Sequence, residues 1–426
     1  MGPGSNFCNR CGQPRNPGAV PPMPYPPHPY VQYQSQRLST VRDAIRAFGS
    51  WGSLALVILL AINVAIAIWG IALVYPHMDR HVYLFIITPF LVNFAELGGW
   101  AFMAYYVLLV AAIVASFSWM LYKSLRPFTE EIRVKRPEKG HSPLYIIATI
   151  FFAILTFNIA YYFIIELFGV SPTTPSFETR ELWQIIYGYA LASVWEEVVS
   201  RILLIGVPLL VIDALVRQWR PQQKMKKLSQ YILGGGFDIG RKEAVLLVIS
   251  SVMFGAAHVF NWDLFKIFPA AVAGLAFGYL FLKLGVYAAI MLHFTFDFLT
   301  VPMEVWSDGL AVTGIIGLLI LAWLVIGIPY LVLYASRAIG WLLGRRIWPD
   351  APPKPPRPVY ASYPPVPPPY GPPAYAPTPY APPPYSPPVP PPPQASGPGF
   401  VCRYCGAREA LYADGDLVCT KCGKRY

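Results

Sequence analysis

Three ionisable residues lie inside one long apolar run and are the first candidates for chemistry. Glu196, Glu197 and Arg201 fall within the run from Leu182 to Ile212. A charged side chain near the centre of a bilayer costs roughly 2.5 to 3.5 kcal/mol on insertion scales. Three charges so close together therefore need either partners that neutralise them or a reaction that uses them.

The spacing of these residues separates their roles. Glu197 and Arg201 are four residues apart, so they share one face of a helix and can form an ion pair. In α-helical geometry Glu196 points about 100° away and lacks that partner. This pattern fits one structural and one chemical carboxylate. An ion-paired packing cluster, or a coupling site in a transporter, fits this helix equally well.

Two further helical pairs carry groups suited to catalysis. Phe254 and His258 are four residues apart in one apolar run, and His293 and Asp297 are four apart in another. Each pair therefore shares a helix face. Two imidazoles, an Asp and the carboxylate of Glu196 in one helical bundle would supply general acid and base groups or metal ligands.

The elements that must position these groups are transmembrane helices. The chain is 55% hydrophobic and 13% charged, with a mean hydropathy of +0.45, which is typical of a multi-pass membrane protein. The segment Val82 to Phe94 is too short, and interrupted by Pro89, to count as a span. We predict an all-α polytopic fold with eight transmembrane helices, at Leu54–Tyr75, Trp100–Tyr122, Leu144–Phe168, Leu182–Ile212, Ala244–Phe260, Ile267–Leu282, Gly285–Val301 and Leu310–Ala335.

The basic residues predict how the chain is oriented. They cluster in alternate loops, at residues 37–46, 123–139, 217–242 and 337–346. By the positive-inside rule these loops and both termini lie in the cytosol, in a cell membrane. The net charge of +11 then reports topology, with weak binding to anionic lipid as a secondary effect. No basic stripe is interleaved with aromatic residues, so we do not expect nucleic acid as a partner.

Four cysteines near the C-terminus predict a structural zinc site. Cys402, Cys405, Cys419 and Cys422 form two CxxCG motifs. Four thiolates satisfy a tetrahedral Zn²⁺ and leave no open position, so the metal would hold together a small zinc ribbon at 400–426. Disulfide pairing is the alternative, and the predicted cytosolic location disfavours it.

Two further cysteines supply half a zinc site. Cys8 and Cys11 occur in the motif CNRCG near the N-terminus. Two ligands bind zinc poorly, so the second half would have to come from another copy of the chain or from a partner. A degenerate remnant of a former site is the interpretation that we favour.

Proline-rich segments separate these parts of the chain. Residues 17–33 and 349–399 combine proline with tyrosine, a composition that favours extended polyproline II spacers. Binding of such a segment, or of the ribbon, to a protein partner is an alternative to a plain linker. We therefore predict a tail at 1–36, a transmembrane domain at 37–346 with its motif core at 144–335, a linker at 347–399 and the ribbon.

The intramembrane residues resemble a known family. Glu196-Glu197-x-x-x-Arg201, Phe254-x-x-x-His258 and His293-x-x-x-Asp297 occur in this order on separate helices. They are similar to the three motifs of the CPBP family of intramembrane endopeptidases, which includes type II CAAX prenyl proteases and bacteriocin-immunity proteins. The resemblance covers residues 144–335. It implies a protease and favours this activity over a silent scaffold that recruits partners through its ribbon, or a proton-coupled transporter.

The resemblance also implies roles for individual residues. Glu196 and His258 would activate the attacking water, and His293 would bind the oxyanion together with Asp297. The position of Asp297 departs from the prenyl-protease pattern, in which Asn is expected, and an ionised Asp cannot donate to an oxyanion. Asp297 would then be protonated, fix the tautomer of His293, or join Glu196 and the histidines around a catalytic Zn²⁺; we favour a mechanism without metal.

By the same resemblance, Arg201 would hold Glu197 in an ion pair, and Phe254 would support the site. The substrate would be a peptide or membrane protein, prenylated or not, taken from the bilayer. Its identity is not encoded in any motif of this chain.

Overall fold

The computed structural model describes the membrane-associated part of the chain and one hairpin near the C-terminus. The described residues are 29–88, 90–133, 141–169, 171–172, 180–220, 222, 224–307, 309–345, 347, 410–413 and 416–419. The chain divides into two compact units, Met1–Asp350 and Ala351–Tyr426.

The first unit is built almost entirely from helices. Between Leu191 and Val207 the chain forms two π-helical segments, π1 (Ala192–Glu196) and π2 (Val198–Gly206). The α-helices are α1 (Pro29–Val74), α2 (Gly99–Arg133), α3 (Pro143–Leu167), α4 (Leu182–Leu191), α5 (Val207–Trp219), α6 (Leu228–Leu233), α7 (Arg241–Ala257), α8 (Val259–Trp262), α9 (Ile267–Lys283), α10 (Val286–Asp297), α11 (Val301–Val305) and α12 (Leu310–Leu342).

Each of the eight predicted apolar runs contains a helix. Among the described residues, six helical stretches are long and apolar enough to cross a membrane, namely Asp43–His77, Gly99–Ile132, Pro143–Leu167, Leu182–Trp219, Leu264–Lys283 and Leu310–Leu342. The fold is thus a polytopic helical membrane protein. The remaining two helices are shorter, with 17 residues in α7 and 12 in α10, so the count of eight spans stays a prediction.

One element of the first unit is not helical. The segment that we judged too short for a span forms an antiparallel hairpin of β1 (Val82–Thr88) and β2 (Phe90–Leu97). Its register shifts between Leu84 and Phe85, as in a β-bulge. The indole Nε1 of Trp195 donates to the carbonyl of Phe85 at 2.8 Å, which fixes the hairpin to π1.

The first helix begins earlier than the predicted domain boundary. Helix α1 starts at Pro29, whereas we assigned residues 1–36 to the tail and 17–33 to an extended spacer. Proline is tolerated at the first position of a helix, and the next proline after Pro29 is Pro76. Nothing in this stretch therefore stops the helix from extending toward the N-terminus.

Helix α10 lies at the centre of the bundle and carries His293. Every residue from Ala288 to Thr295 is buried, and the helix packs against α2, α3, α9 and π1. A helix that is buried all round needs apolar side chains on every face. Helix α10 has them along most of its length, and its polar exceptions include His293, Thr295 and Asp297. The position of His293 is thus set by packing on all sides.

The helix that carries the two glutamates changes its winding at the motif. The run Leu182–Trp219 is continuous, but its middle is π-helical rather than α-helical. π-Helical turns are rare and occur frequently at functional sites. The 100° separation between Glu196 and Glu197 that α-helical geometry predicts does not apply here.

The second unit contains a two-stranded antiparallel sheet. Strand β3 (Ala410–Ala413) pairs with β4 (Asp416–Cys419). The hairpin lies between the two predicted cysteine pairs, and Cys419 is the last residue of β4. Cys402, Cys405, Cys422, Cys8 and Cys11 lie outside the described residues, as does the predicted linker apart from its first residue, so zinc binding stays a prediction.

Candidate active site

A buried ion pair forms the base of the site. The guanidinium Nε of Arg201 donates to Glu197 Oε2 at 2.9 Å, and both side chains are fully buried. Arg201 Nη1 donates to the hydroxyl of Ser250 on α7 at 2.9 Å. In turn, the Ser250 hydroxyl donates to the carbonyl of Ser200 at 2.6 Å, so the pair links π2 to α7.

Aromatic rings enclose the guanidinium of Arg201. Its Cζ lies 5.1 Å from the ring centroid of Phe254 and 5.7 Å from that of Phe277. Cation–π contacts of this kind contribute roughly 2 kcal/mol or more when the cation is desolvated. Phe254 thus stabilises the buried charge through its ring.

His293 bridges two carboxylates. Its Nδ1 lies 3.0 Å from Glu197 Oε1, and its Nε2 lies 3.4 Å from Asp297 Oδ2. The imidazole also stacks on Phe277, with ring centroids 4.8 Å apart and an interplanar angle of 12°. Since an ionised carboxylate only accepts hydrogen bonds, this geometry favours a histidine that carries a proton on both ring nitrogens.

Asp297 is held from a second helical segment. Its Oδ2 lies 3.1 Å from the hydroxyl of Ser193 on π1, which is also 2.7 Å from the carbonyl of Tyr189. The side chain of Asp297 is 22% exposed, whereas that of Glu197 is fully buried. The two carboxylates that contact His293 therefore differ in their access to a ligand.

The orientation of His258 leaves one ring nitrogen available. His258 follows the last residue of α7, and its Nδ1 lies 2.8 Å from the carbonyl of Phe254. A carbonyl only accepts, so Nδ1 carries the proton and donates. In the neutral imidazole Nε2 then holds a lone pair, as a general base requires.

Glu196 is the least constrained acidic group of the motif. Its half-buried carboxylate forms no hydrogen bond with the residues that the structure describes. It is close enough to His293, Asp297, Glu197 and Arg201 to interact with them electrostatically. Its oxygens are thus available to accept a hydrogen bond from water.

A cavity of about 290 Å³ lies beside these groups. Its lining includes the side chains of His258, Lys266, His293 and Asp297. With roughly 30 Å³ per water molecule, the cavity has room for several waters or for one end of a peptide. The structure thus brings His258, His293 and Asp297 to the cavity. Glu196 is not among the lining residues, although it interacts electrostatically with His293 and Asp297.

Several residues of this site were not singled out from the sequence. Ser250 lies four residues before Phe254 on α7, and this spacing could have identified Ser250. Lys266 immediately precedes an apolar run, where a cation can extend to the membrane surface, so its place in the cavity had no clear signal. The contact between Trp195 and the hairpin joins segments that are 110 residues apart and has no local sequence signal.

Among the residues that the structure describes, no three His, Cys, Asp or Glu side chains are arranged to hold a metal ion. His293 has both ring nitrogens directed at carboxylates, and His258 has one directed at a carbonyl.

The segment of the chain that contains this site matches the model of a known protein family. Residues 178–299 match the family model described as type II CAAX prenyl endopeptidase Rce1-like. No curated protein matches the chain, and no solved structure does. All three motifs, the cavity residues His258 and His293, and the ion pair of Glu197 with Arg201 fall within the matched segment. The match supports the CPBP family, and with it a protease that acts within the membrane on a peptide or protein substrate.

Proposed function

We propose that this chain is an intramembrane endopeptidase in which Glu196 and His258 activate water to hydrolyse a peptide bond. The observation that carries the proposal is the convergence of His258, His293 and Asp297 on one cavity, with Glu196 adjacent. The Rce1-like family match over the same residues supports it independently.

Hydrolysis begins with water bound between Glu196 and Nε2 of His258. One of these groups removes a proton as the water oxygen bonds to the carbonyl carbon of the substrate. The tetrahedral intermediate then collapses, the carbon–nitrogen bond breaks, and the stored proton passes to the departing amine. General base catalysis of this kind contributes roughly 10²- to 10⁴-fold to the rate.

His293 would stabilise the negative charge that develops on the carbonyl oxygen. Its Nδ1 is engaged by Glu197, so Nε2 is the nitrogen that can donate to the oxyanion. The oxyanion would take the position at which Asp297 now contacts Nε2. Asp297, which contacts Ser193, would hold the imidazole in place before the substrate arrives. Preorganised hydrogen-bond donors to a developing oxyanion, as His293 would be, usually make the largest single contribution to catalysis.

The test compares protein termini in host membranes that contain the wild-type chain, Glu196→Gln or Glu166→Gln. Glu166 is an exposed residue of α3, so its substitution controls for the chemical change itself. We expect new C-terminal and N-terminal ends with the wild type and with Glu166→Gln, and none with Glu196→Gln. These ends also identify the substrate, prenylated or not.

Equal cleavage by the wild type and Glu196→Gln would remove the proposed base. If no new ends appear with any of the three proteins at equal expression, the protease proposal fails. A membrane scaffold or a proton-coupled transporter would then account better for the same residues.

We also propose that the C-terminal cysteines bind one structural Zn²⁺ and that the ribbon and linker bring substrates to the membrane domain. The spacing of the two CxxCG motifs supports the metal, and the hairpin between them is compatible with a ribbon. A tethered binding module raises the effective concentration of its ligand at a nearby site.

The distribution of basic residues supports a cell-membrane location with both termini in the cytosol. A cysteine-reactive reagent that cannot cross the membrane should therefore label neither terminal region in intact cells. It should label both in lysed cells treated with a zinc chelator, which frees the C-terminal thiols. Labelling of either terminus in intact cells would contradict this orientation.

A further inference from the structure

The cavity lies where the ends of three helices meet. His258 follows the last residue of α7, Asp297 is the last residue of α10, and Lys266 immediately precedes α9. All three side chains line the cavity. The chemical groups of the site are therefore gathered toward one end of the helical bundle.

Basic residues lie at the other end of the same helices. Arg241 and Lys242 begin α7, and Lys283 ends α9. Each of these helices contains 17 residues, so these cations lie about 25 Å along the helix from the cavity end. The segment before α7 also contacts the end of α9, since the N–H of Gly236 donates to the carbonyl of Lys283 at 3.1 Å. The hydrocarbon core of a bilayer is about 30 Å thick, so the two ends lie near opposite faces of the membrane.

The two ends differ in their content of lysine and arginine. Residues 217–242, at the end away from the cavity, contain seven basic side chains. The loops at the cavity end, residues 75–98, 168–181, 258–266 and 298–309, together contain three, namely Arg80, Arg180 and Lys266. The positive-inside rule therefore assigns the cavity end to the non-cytosolic face.

Residues typical of a membrane surface border the cavity. Lys266 Nζ lies 4.0 Å from the ring centroid of Trp262 and donates to the hydroxyl of Tyr162 at 3.3 Å. Tryptophan and tyrosine are enriched where a membrane meets water, and lysine extends its ammonium group to that boundary. Because Trp262 and Lys266 both line the cavity, it lies close to the membrane surface, where water can enter.

The lining of the cavity also has an apolar part. Ala270, Ala273 and Phe277 of α9 line it together with the histidines. An apolar wall beside groups that react with water suits a peptide segment that is leaving the hydrocarbon. The end of a transmembrane span is such a segment.

We propose that the cavity opens at the non-cytosolic face of the membrane and that the substrates are membrane-spanning proteins, cut near the outer end of a span. This inference rests on the proposed proteolysis and orientation, and it adds the side of cleavage and the class of substrate. A prenylated tail anchored in the cytosolic leaflet would present its peptide bonds at the opposite face. A spanning substrate can instead contact the ribbon on the cytosolic side and the cavity on the other.

The first experiment adds one cysteine at a time to the full chain. Ser307 follows α11 and is exposed, and Leu264, also exposed, lies between the cavity residues Trp262 and Lys266. Gln222 is exposed in the basic segment at the other end and serves as the matched control. Intact host cells are treated with a cysteine-reactive reagent that cannot cross the membrane. Mass spectrometry reads the label on the peptide that contains each added cysteine, so the native cysteines stay in place.

We expect Ser307→Cys and Leu264→Cys to be labelled in intact cells to the same extent as in lysed cells. Gln222→Cys should be labelled only after lysis. Two positions at the cavity end keep the result independent of the folding of one variant. Labelling of both of them only after lysis, or of Gln222→Cys in intact cells, would overturn the proposed side and leave the protease proposal intact.

The second experiment reads the substrate class from the new protein termini that depend on Glu196. These ends should fall in membrane-spanning proteins, at the non-cytosolic end of a span. Ends confined to cytosolic tails would overturn the proposed substrate class, even if the labelling places the cavity outside. If no end depends on Glu196, the proposed function fails and the substrate class fails with it, whereas the labelling still decides the orientation.

Discussion

Burial of Glu197, Arg201 and His293 in this membrane domain is possible because each has a specific partner. Glu197 contacts Arg201 through one oxygen and His293 through the other, and Arg201 also contacts Ser250. Such a network stabilises the fold only while it is complete, since removal of one partner leaves an uncompensated charge. The carboxylate of Glu197 thus supports both the helix packing and the orientation of His293.

We therefore predict that the effects of substitutions in this network on stability are not additive. Glu197→Gln and Arg201→Met should each lower the free energy of unfolding by about 3 to 5 kcal/mol, because each leaves an unpaired buried charge. The double variant should lose less than the sum. Thermal unfolding of the purified chain in one fixed detergent, followed by circular dichroism, ranks the effects without depending on activity.

Arg217→Met provides the matched control. Arg217 is exposed in the last turn of α5, so this substitution should leave the midpoint of thermal unfolding within a few degrees of the wild-type value. Additive effects of Glu197→Gln and Arg201→Met would contradict the predicted coupling.

At the scale of residues, the sequence was sufficient to select the motif positions but not their contacts. Helical spacing placed Glu197 with Arg201, and the structure has them 2.9 Å apart. Spacing within one helix could not reveal that His293 lies between Glu197 and Asp297, because that contact joins residues 96 positions apart. It also could not place Lys266 in the cavity, since its partners come from other helices.

Among the elements, the helices were predictable from apolar length and the hairpin was not. Long apolar runs indicate transmembrane helices, and a helix is present in each predicted run. The hairpin at residues 82–97 is almost continuously apolar, so it lacks the alternation that would distinguish a strand from a helix. The π-helical winding of the motif segment has no sequence signature of this kind either.

The close approach of α3 and α12 leads to a prediction for Gly327. A Cβ atom at this position would clash with the carbonyl oxygen of Phe152 and the hydroxyl of Thr156, and the backbone cannot move aside easily. Gly327→Ala should destabilise the protein by about 1 to 3 kcal/mol, the usual effect of overpacking. The midpoint of thermal inactivation measures the change.

Gly317 lies on the same helix and offers the control. A Cβ atom at Gly317 meets nothing within 4 Å, so Gly317→Ala should be neutral or stabilise α12 by up to about 1 kcal/mol. If both alanine variants behave alike, the contact between α3 and α12 does not limit stability.

For the whole molecule, the most informative test concerns the metal in the C-terminal unit. The full chain, purified without added metal, should contain one Zn²⁺ per molecule by elemental analysis. The double variant Cys402→Ser/Cys405→Ser should lose that zinc, whereas Cys8→Ser/Cys11→Ser should retain it, because two cysteines alone bind the ion poorly.

The activity of the membrane domain provides the second readout. If the ribbon recruits substrate, loss of its zinc should raise the KM for a full-length substrate and leave cleavage of a short peptide unchanged. Two zinc ions per chain in the wild type would contradict the assignment of the N-terminal cysteines as a remnant. An equal loss on both substrates would contradict recruitment.

The π-helical segments make the number of residues between α4 and α5 a constraint in its own right. Helix α4 packs against α1 and α2, and α5 contacts α6 and α7, so each flank is anchored to a different set of neighbours. Deletion of one residue between them would turn one flank relative to the other and displace the glutamates from their partners, even if every remaining side chain were unchanged. The length of this segment is therefore as much a part of the site as its composition, and it should tolerate conservative replacement far better than any change in register.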